Sequence, residues 1–261
     1  LMGCEIYLKR EDQLPLGAFK MRGGLNMLAN LPSEERNRGL ITASTGNHGQ
    51  SVANACRIFG ANAFIVVPEG ANSLKVAAIK SMGAELLFYG RNFDDAREYA
   101  ESLAMDKGYR YVHPANEPLL ISGVATQTLE IIEDIPDVDA IFVPLGGGSG
   151  ASGTCVVAKS INPEIKVYAV QSERSPAGFV SWKQGEVRTS TNETFAEGLA
   201  TGIGYDLPLS LLTALLDDFI LVSDDEIRCL LYTSPSPRDQ RGSGVPGAAW
   251  KKKRGGGGGG G

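Results

Sequence analysis

The sequence predicts an α/β protein built on parallel sheets. Two observations carry this prediction: stretches with helical spacing alternate with short apolar runs, and a glycine ends most of these helices just before the next apolar run. A strand followed by a crossover helix and another strand gives parallel neighbours in one sheet. With 43% hydrophobic residues in 261, the chain can bury the core of one large domain or of two modest ones.

The first three helix and strand units lie between residues 47 and 112. After His48, apolar residues recur at helical spacing up to Phe59, and Gly60 ends this helix before the apolar run 63–68. The next two units repeat this order: a helix over 74–82 with Gly83 and the run 86–89, then a helix over 93–107 with Gly108 and the run 110–112. Three such units predict a parallel sheet with helical crossovers.

A second series of units follows along the chain. We expect a helix over 118–132, a strand over 140–144, a helix that reaches Lys159 and a strand over 167–170. The last native helix is expected to begin at Ser223, where Glu226 completes a capping box, and to end at Arg228.

Two loops and one lysine carry the chemistry. The loops 44–49 (Ser-Thr-Gly-Asn-His-Gly) and 146–150 (Gly-Gly-Gly-Ser-Gly) each follow an apolar run and open a helical stretch, so each offers unpaired backbone N–H groups to an anion. Ligands of open α/β sheets bind beyond the carboxyl ends of the strands, where both loops lie. Lys20, in the run 16–24 (Leu-Gly-Ala-Phe-Lys-Met-Arg-Gly-Gly), adds an amine to these two anion sites.

Each motif also has an ordinary structural interpretation. Lys20 could be a surface residue, Asn47 a helix N-cap and His48 a packing residue of a first helical turn. The loop 146–150 could be a flexible linker or a dinucleotide loop. It lacks, however, both the G-x-G-x-x-G spacing with a later acidic residue and the Gly-Lys-Ser/Thr end of a nucleotide-binding loop.

Taken in order, these motifs resemble those of the threonine/serine dehydratase branch of the fold type II enzymes, which use pyridoxal 5'-phosphate (PLP). The resemblance runs over about residues 1–228. It implies two open, mostly parallel sheets with helices on both faces. Residues 39–118 would form a small domain inserted between two parts, 1–38 and 119–228, of a large PLP-binding domain. It also implies that native sequence is missing at both ends.

The same resemblance implies the roles of the site residues. The lysine that forms the Schiff base with the cofactor in the family corresponds to Lys20, the catalytic residue. The cofactor is expected to contact Phe19, Lys20, Asn47, Gly146, Gly147, Gly148, Ser149, Gly150 and Gly198. The substrate carboxylate is expected to contact Ser44, Thr45, Gly46, Asn47 and His48. The hydroxyl of Ser149 or of Ser152 is expected to donate a hydrogen bond to the cofactor phosphate. The choice between the two stays open, because the family more often has a fourth glycine and a leucine in this loop.

The segment 195–200 (Phe-Ala-Glu-Gly-Leu-Ala) resembles an Ala-Asp-Gly segment whose backbone lines the site in the family. Some members hold a divalent cation in this region, for which Glu193 and Glu197 are candidates, although Glu197 could equally lie in a surface turn. His113 and Trp182 are expected to pack against their neighbours.

The activity implied by the resemblance is that of a PLP-dependent L-threonine/L-serine ammonia-lyase, an enzyme of amino-acid metabolism that acts on a small amino-acid substrate. Thr45 leaves open a racemase or a 3-hydroxyaspartate dehydratase on the same scaffold, because racemases of this branch have serine there and many dehydratases have alanine. An alternative of another class is a non-catalytic nucleotide-binding α/β protein. A full-length member is expected to form a homo-oligomer.

The end of the chain differs from the rest. Residues 229–234 are the translation of TGT CTC TTA TAC ACA TCT, residues 235–239 are that of CCG AGC CCA CGA GAC, and the last residues are glycine alone. We therefore expect 229–261 to be a translated sequencing adaptor, non-native and disordered, and the chain to be inactive. A genuine tail rich in proline and glycine is the alternative.

Composition limits the partners. The tail contains six basic residues and one acidic residue, so the net charge of residues 1–228 is −10, against −5 for the whole chain. An acidic body argues against a nucleic-acid partner or an anionic membrane. No apolar run is long enough to cross a bilayer, and the three cysteines of the body, which lack metal-binding spacing, favour a reducing cytoplasm.

Overall fold

The structure, a computed structural model, describes residues 4–233, with side chains as far as Leu230. Its helices are α1 (Lys20–Asn30), α2 (Ser33–Arg38), α3 (Asn47–Phe59), α4 (Ser73–Ser81), α5 (Phe93–Lys107), α6 (Pro118–Asp134), α7 (Ser149–Ile161), α8 (Ala177–Gln184), α9 (Asp206–Leu215) and α10 (Asp224–Thr233). Its strands are β1 (Leu40–Ala43), β2 (Ala63–Val67), β3 (Glu85–Phe88), β4 (Arg110–Tyr111), β5 (Ala140–Pro144), β6 (Lys166–Ser172) and β7 (Asp218–Val222). No helix in the described part combines the length and the apolar character that crossing a membrane requires.

The first sheet has four strands in the order β3-β2-β1-β4, and every neighbouring pair is parallel. All four residues of β1 are buried because helices cover both faces of this sheet, α3 on one and α5 on the other. Gly60 and Gly108 end these two helices in the left-handed conformation that glycine adopts without strain. The predicted parallel sheet with helical crossovers is confirmed.

The second sheet has three parallel strands in the order β5-β6-β7. The sequence predicts β5, β6 and α7, while β7, α8 and α9 were not anticipated. One face of the sheet packs on α7 and α9 around Val143, Cys155 and Leu212. On the opposite face Phe142 is 62% exposed and stacks on Tyr168 at 4.9 Å between ring centroids. Helices therefore cover both faces of the first sheet but one face of the second within the described residues.

Helices α1, α6 and α7 approach one another through glycine. A Cβ atom added to Gly123 on α6 would lie 2.6 Å from the carbonyl oxygen of Arg22 on α1. A Cβ atom added to Gly153 on α7 would lie 3.0 Å from the backbone nitrogen of Ala125 on α6. Because backbone cannot rotate away from such contacts, only glycine permits these distances. The packing fixes the first residue of α1, Lys20, relative to the first residue of α7, Ser149.

The last helix begins with the predicted capping box. The Ser223 N–H donates to Glu226 Oε2 at 2.8 Å, and the Glu226 N–H donates to Ser223 Oγ at 3.2 Å. The expectation that the helix ends at Arg228 is wrong, because α10 continues to Thr233. The apolar residues after Arg228 contain no proline before Pro235, so nothing in the local sequence stops the helix. The rest of the expected tail, 234–261, lies outside the described residues.

Candidate active site

Both predicted anion loops lie at the carboxyl ends of parallel strands. β1 ends at Ala43 and α3 begins at Asn47, while β5 ends at Pro144 and α7 begins at Ser149. The first N–H groups of a helix have no partner within the helix and carry the positive end of its dipole. Two helix N-termini with this property therefore flank the place where α1 begins.

Lys20 joins the helices that carry the two loops. Its carbonyl oxygen accepts a hydrogen bond from Ser51 Oγ on α3 at 2.6 Å, and its amine Nζ donates one to Ser149 Oγ on α7 at 2.7 Å. Lys20 is half-buried, and the loss of hydration at its amine lowers the pKa of Lys20 to about 8. About one amine in ten is then uncharged at pH 7, as a nucleophile or base requires.

The loop 146–150 has the form of an anion cradle. None of the six successive N–H groups from Gly146 to Ala151 donates a hydrogen bond to another described residue. Residues 148–151 are nevertheless buried. A buried polar group without a partner costs about 1–3 kcal/mol, so this run of N–H groups suits a ligand that accepts several hydrogen bonds. A phosphate group at the start of α7 meets that requirement.

Packing explains two of the loop glycines and brings predicted site residues together. A Cβ atom on Gly146 would overlap the carbonyl oxygen of Gly198, and one on Gly150 would lie 3.3 Å from the Phe19 ring. The Phe19 ring centroid is 5.3 Å from the Lys20 amine. The structure thus places Phe19, Lys20, the loop 146–150 and Gly198 at one site.

The loop 44–48 opens α3 in the predicted place. Ser44 is buried, and its hydroxyl accepts a hydrogen bond from the Gly46 N–H at 3.1 Å. Gly46 occupies the N-cap, so Asn47 is the first helical residue rather than the cap, and its side chain is exposed. Thr45 is half-buried. The first three N–H groups of α3 donate to no other described residue, which leaves them for an anion such as a carboxylate.

His48 is buried on the first turn of α3 and contacts the sheet. The Thr42 hydroxyl donates to the carbonyl oxygen of Val112 at 2.7 Å, so it accepts from His48 Nε2, 3.0 Å away. Burial is the main reason that the pKa of His48 is lowered to about 3, with the nearby Lys20 charge as a second cause. His48 is therefore a neutral side chain that ties α3 to the sheet, and its contact with a substrate carboxylate stays a prediction.

The two metal candidates lie apart in separate ion pairs. Glu193 pairs with Arg174 at 3.1 Å, and Glu197 pairs with Lys75 on α4. Within residues 4–233, no group of three or more His, Cys, Asp or Glu side chains could hold a metal ion. The geometry gives the predicted cation site no support, because each carboxylate already has a cationic partner.

Arg22, two residues after Lys20, has a structural role that the sequence did not predict. All five guanidinium N–H groups are bonded: to Glu11, Glu130 and Thr126, at distances of 2.6–3.0 Å. Arg22 therefore ties the first turn of α1 to α6 and to the segment before α1. The sequence shows an arginine two residues after the lysine, but this spacing does not predict which residues bind the guanidinium.

Aromatic packing behind the loop was predicted only in part. His113 Nδ1 accepts hydrogen bonds from the N–H groups of Ala115 and Asn116 at 3.0 and 2.8 Å, and its ring meets the Tyr205 ring edge-on at 5.3 Å. The expectation that His113 packs is confirmed, as is that for Trp182, whose ring lies 5.9 Å from that of Phe219. Tyr205 was missed, since a lone tyrosine carries no signal for its contact with the glycine loop.

Known proteins resemble this chain over most of its described length. The model of the family described as "Pyridoxal-phosphate dependent enzyme" matches residues 1–231. An L-threonine ammonia-lyase of Thermotoga maritima is 42% identical over 226 residues, which are 86% of this chain and 56% of that protein. The chain thus spans little more than half of that relative.

Two solved structures are similar in fold as well as in sequence. The processed form of threonine deaminase isoform 2 from Solanum lycopersicum superimposes with a TM-score of 0.83 at 34% identity, over 85% of this chain and 65% of that one. Serine racemase from Dictyostelium discoideum superimposes with a TM-score of 0.80 at 35% identity, over 86% and 73%.

Proposed function

The chain belongs to the pyridoxal-phosphate-dependent enzyme family, and we propose that the whole protein is an L-threonine/L-serine ammonia-lyase of fold type II. The net reaction converts L-threonine to 2-oxobutanoate and ammonia, or L-serine to pyruvate and ammonia. One observation carries the proposal: the desolvated Lys20 amine, 2.7 Å from Ser149 Oγ, lies at the start of a cradle of unpaired N–H groups. The ammonia-lyase relative of Thermotoga maritima supports the choice of reaction.

The residues present fit PLP. The N–H groups of 146–151 and the N-terminus of α7 would hold the cofactor phosphate, and the Lys20 amine would hold its aldehyde carbon. Phe19, Asn47 and Gly198 would line the remainder of the cofactor site. When bound, PLP supplies a conjugated ring that takes up the electron pair left after loss of the substrate α-proton.

The chain's own groups account for proton transfer and substrate binding. Lys20 Nζ is the base that takes the α-proton, because its lowered pKa leaves part of the amine uncharged near neutral pH. The free N–H groups at the start of α3, together with Ser44 and Thr45, would bind the substrate carboxylate. His48 would orient this loop as a neutral residue, so the positive end of α3 rather than an imidazolium would attract the carboxylate.

A serine racemase is the second candidate, favoured by the likeness to the Dictyostelium racemase, and a 3-hydroxyaspartate dehydratase on the same scaffold stays an alternative. Racemisation needs a second proton-transfer group on the face of the substrate opposite Lys20. The Thr45 hydroxyl, half-buried in the carboxylate loop, is the candidate for that role. Chiral chromatography of the remaining serine after incubation separates the two activities, because a lyase leaves L-serine and 2-oxo acid whereas a racemase accumulates D-serine.

Cofactor capture tests the proposal directly. The 261-residue chain is incubated with PLP, reduced with sodium borohydride and mapped by peptide mass spectrometry. We expect the reduced cofactor on Lys20. In this chain Lys20→Ala should lose the labelled product while still retaining PLP non-covalently, and in a full-length version it should also lose all 2-oxobutanoate formation. Lys9→Ala, which removes a lysine paired with Glu130, should behave as wild type. Equal labelling of several lysines, or unchanged turnover in Lys20→Ala, would contradict the assignment.

The domain division, compartment and assembly also belong to this proposal. A small domain of 39–118 between two parts of a large one, 1–38 and 119–228, is supported by the separate sheets of the two regions. We place the protein in the cytoplasm, where its free thiols would stay reduced, and expect the whole protein to form a homo-oligomer. Size-exclusion chromatography with light scattering measures that assembly.

A further inference from the structure

The Lys20 amine is held by a hydrogen bond to the hydroxyl of Ser149. Ser149 is 2% exposed, and its hydroxyl is the hydrogen-bond partner of the Lys20 amine within the described residues. The titratable group that faces the amine is His48 on α3, which burial keeps neutral. Among the residues that the structure describes, the amine therefore depends on one uncharged hydroxyl, and no carboxylate bonds to it to stabilise its charged form.

A hydroxyl can serve both protonation states of an amine. It accepts a hydrogen bond from the ammonium and donates one to the lone pair of the neutral amine. A carboxylate would favour the ammonium, and an aliphatic side chain would leave either form without a partner in a desolvated place. Serine at the first position of α7 thus holds the amine in one location without fixing its charge.

We propose that Ser149 is a positioning residue that holds the Lys20 amine at the first turn of α7 through both of its protonation states. The rigid packing of α1, α6 and α7 supports this, because the contacts at Gly123 and Gly153 fix the backbones that carry the two side chains. The inference deepens the proposed function, since it takes Lys20 as the reactive amine. Its first test, however, needs no cofactor.

Replacing Ser149 by alanine removes the acceptor while leaving the amine desolvated. Both protonation states of the amine then lose a hydrogen bond, but the bond made by the charged ammonium is the stronger of the two, so the pKa of Lys20 should fall by about one unit. Ser149→Thr keeps a hydroxyl and should restore the wild-type value. Ser152→Ala is the matched control, because Ser152 is a buried serine on the same helix whose hydroxyl makes no hydrogen bond to another described residue.

Competitive labelling with acetic anhydride measures this pKa in the cofactor-free 261-residue chain. The rate of Lys20 acetylation between pH 6 and 11, read by peptide mass spectrometry, gives the titration curve of the amine. We expect the curve of Ser149→Ala at lower pH, with Ser149→Thr and Ser152→Ala at the wild-type pH. An unchanged curve, a shift to higher pH, or an equal shift in Ser152→Ala would overturn the proposal.

A second measurement isolates positioning from charge. At pH 10 the amine is neutral in every variant. A difference in the rate of capture of pyridoxal, which lacks the phosphate that Ser149 is also a candidate to contact, then reflects where the amine lies. We expect capture by Ser149→Ala to be roughly 10-fold slower than by wild type, and equal rates would contradict positioning. If no variant captures PLP while the acetylation curves shift as expected, the proposed function fails and the role of Ser149 stands.

Discussion

Alanine in place of Gly146 tests whether the loop 146–150 forms the cofactor cradle. The added Cβ would overlap the carbonyl oxygen of Gly198, which is backbone and cannot rotate away. Overpacking of this kind costs about 1–3 kcal/mol. If the cost falls on the bound state, PLP affinity drops about 5- to 150-fold, since 1.4 kcal/mol corresponds to a factor of ten.

The neighbouring residue provides the matched control. A Cβ on Gly147 would have Ala115 and Tyr205 as its nearest neighbours, each 3.6 Å away, which is ordinary contact. Gly147→Ala should therefore bind PLP like wild type. Gly147→Asp should lose the cofactor, because its carboxylate meets the phosphate dianion at close range in a site of low dielectric.

Equilibrium dialysis with PLP, followed by absorbance of the retained cofactor, measures all three variants, and thermal melting of the cofactor-free chains separates binding from stability. If the cost falls on the fold instead, Gly146→Ala lowers Tm by about 2–4 °C per kcal/mol. Equal affinity and equal Tm in Gly146→Ala and Gly147→Ala would refute the cradle geometry. Stoichiometric PLP on Gly147→Asp after dialysis would show that the phosphate binds elsewhere.

Three further predictions follow from the charges. The rate of PLP capture by Lys20 should rise with pH and level off above about 8, as followed by borohydride trapping, because the amine reacts only when neutral. The folded-state pKa of Lys20 lies below the ordinary 10.5, so its ammonium destabilises the fold at pH 7. Lys20→Met should therefore raise the free energy of unfolding of the cofactor-free chain at pH 7 by roughly 1–3 kcal/mol. Urea titrations should show that this gain vanishes above pH 10.5. Arg22→Met should lower Tm more than Lys9→Met does, since it leaves Glu11 and Glu130 without their bidentate partner. In wild type this stabilisation should be lost as pH falls from 4.5 towards 2, because the Arg22 hydrogen bonds lower the pKa of Glu130 to about 2.

Local sequence signals predict much of the fold. Gly60 and Gly108 mark helix ends because glycine adopts the left-handed conformation without strain. The capping box is also a local signal, since it involves only Ser223 and Glu226. β7 gave no comparable signal. It follows the apolar helix α9 after only Leu216 and Asp217, and no glycine or proline marks the boundary between the two elements.

The candidate site, like the fold, was predictable where the signal is local in the sequence. The loops and the lysine were predictable because glycine runs and helix starts are sequence features. The hydrogen-bond partners of those residues were not predictable, because Ser149 and Ser152 are alike in sequence. Tertiary packing places the Ser149 hydroxyl against the Lys20 amine and leaves the Ser152 hydroxyl without a hydrogen-bond partner among the described residues. Glu193 and Glu197 failed as a pair for the same reason, because their cationic partners, Arg174 and Lys75, lie elsewhere in the chain.

The Lys20–Ser149 hydrogen bond joins residues 129 positions apart, and this separation sets an order of events during synthesis. A nascent chain displays Lys20 long before α7 leaves the ribosome, yet until then the amine is hydrated and lacks both its hydroxyl and the cradle. Closing so long a loop must precede any gain from the contact. With Lys20 as the proposed attachment site, we therefore expect covalent cofactor attachment during refolding to report the docking of α7 on α1 and α6, a late event, rather than the earlier formation of helices.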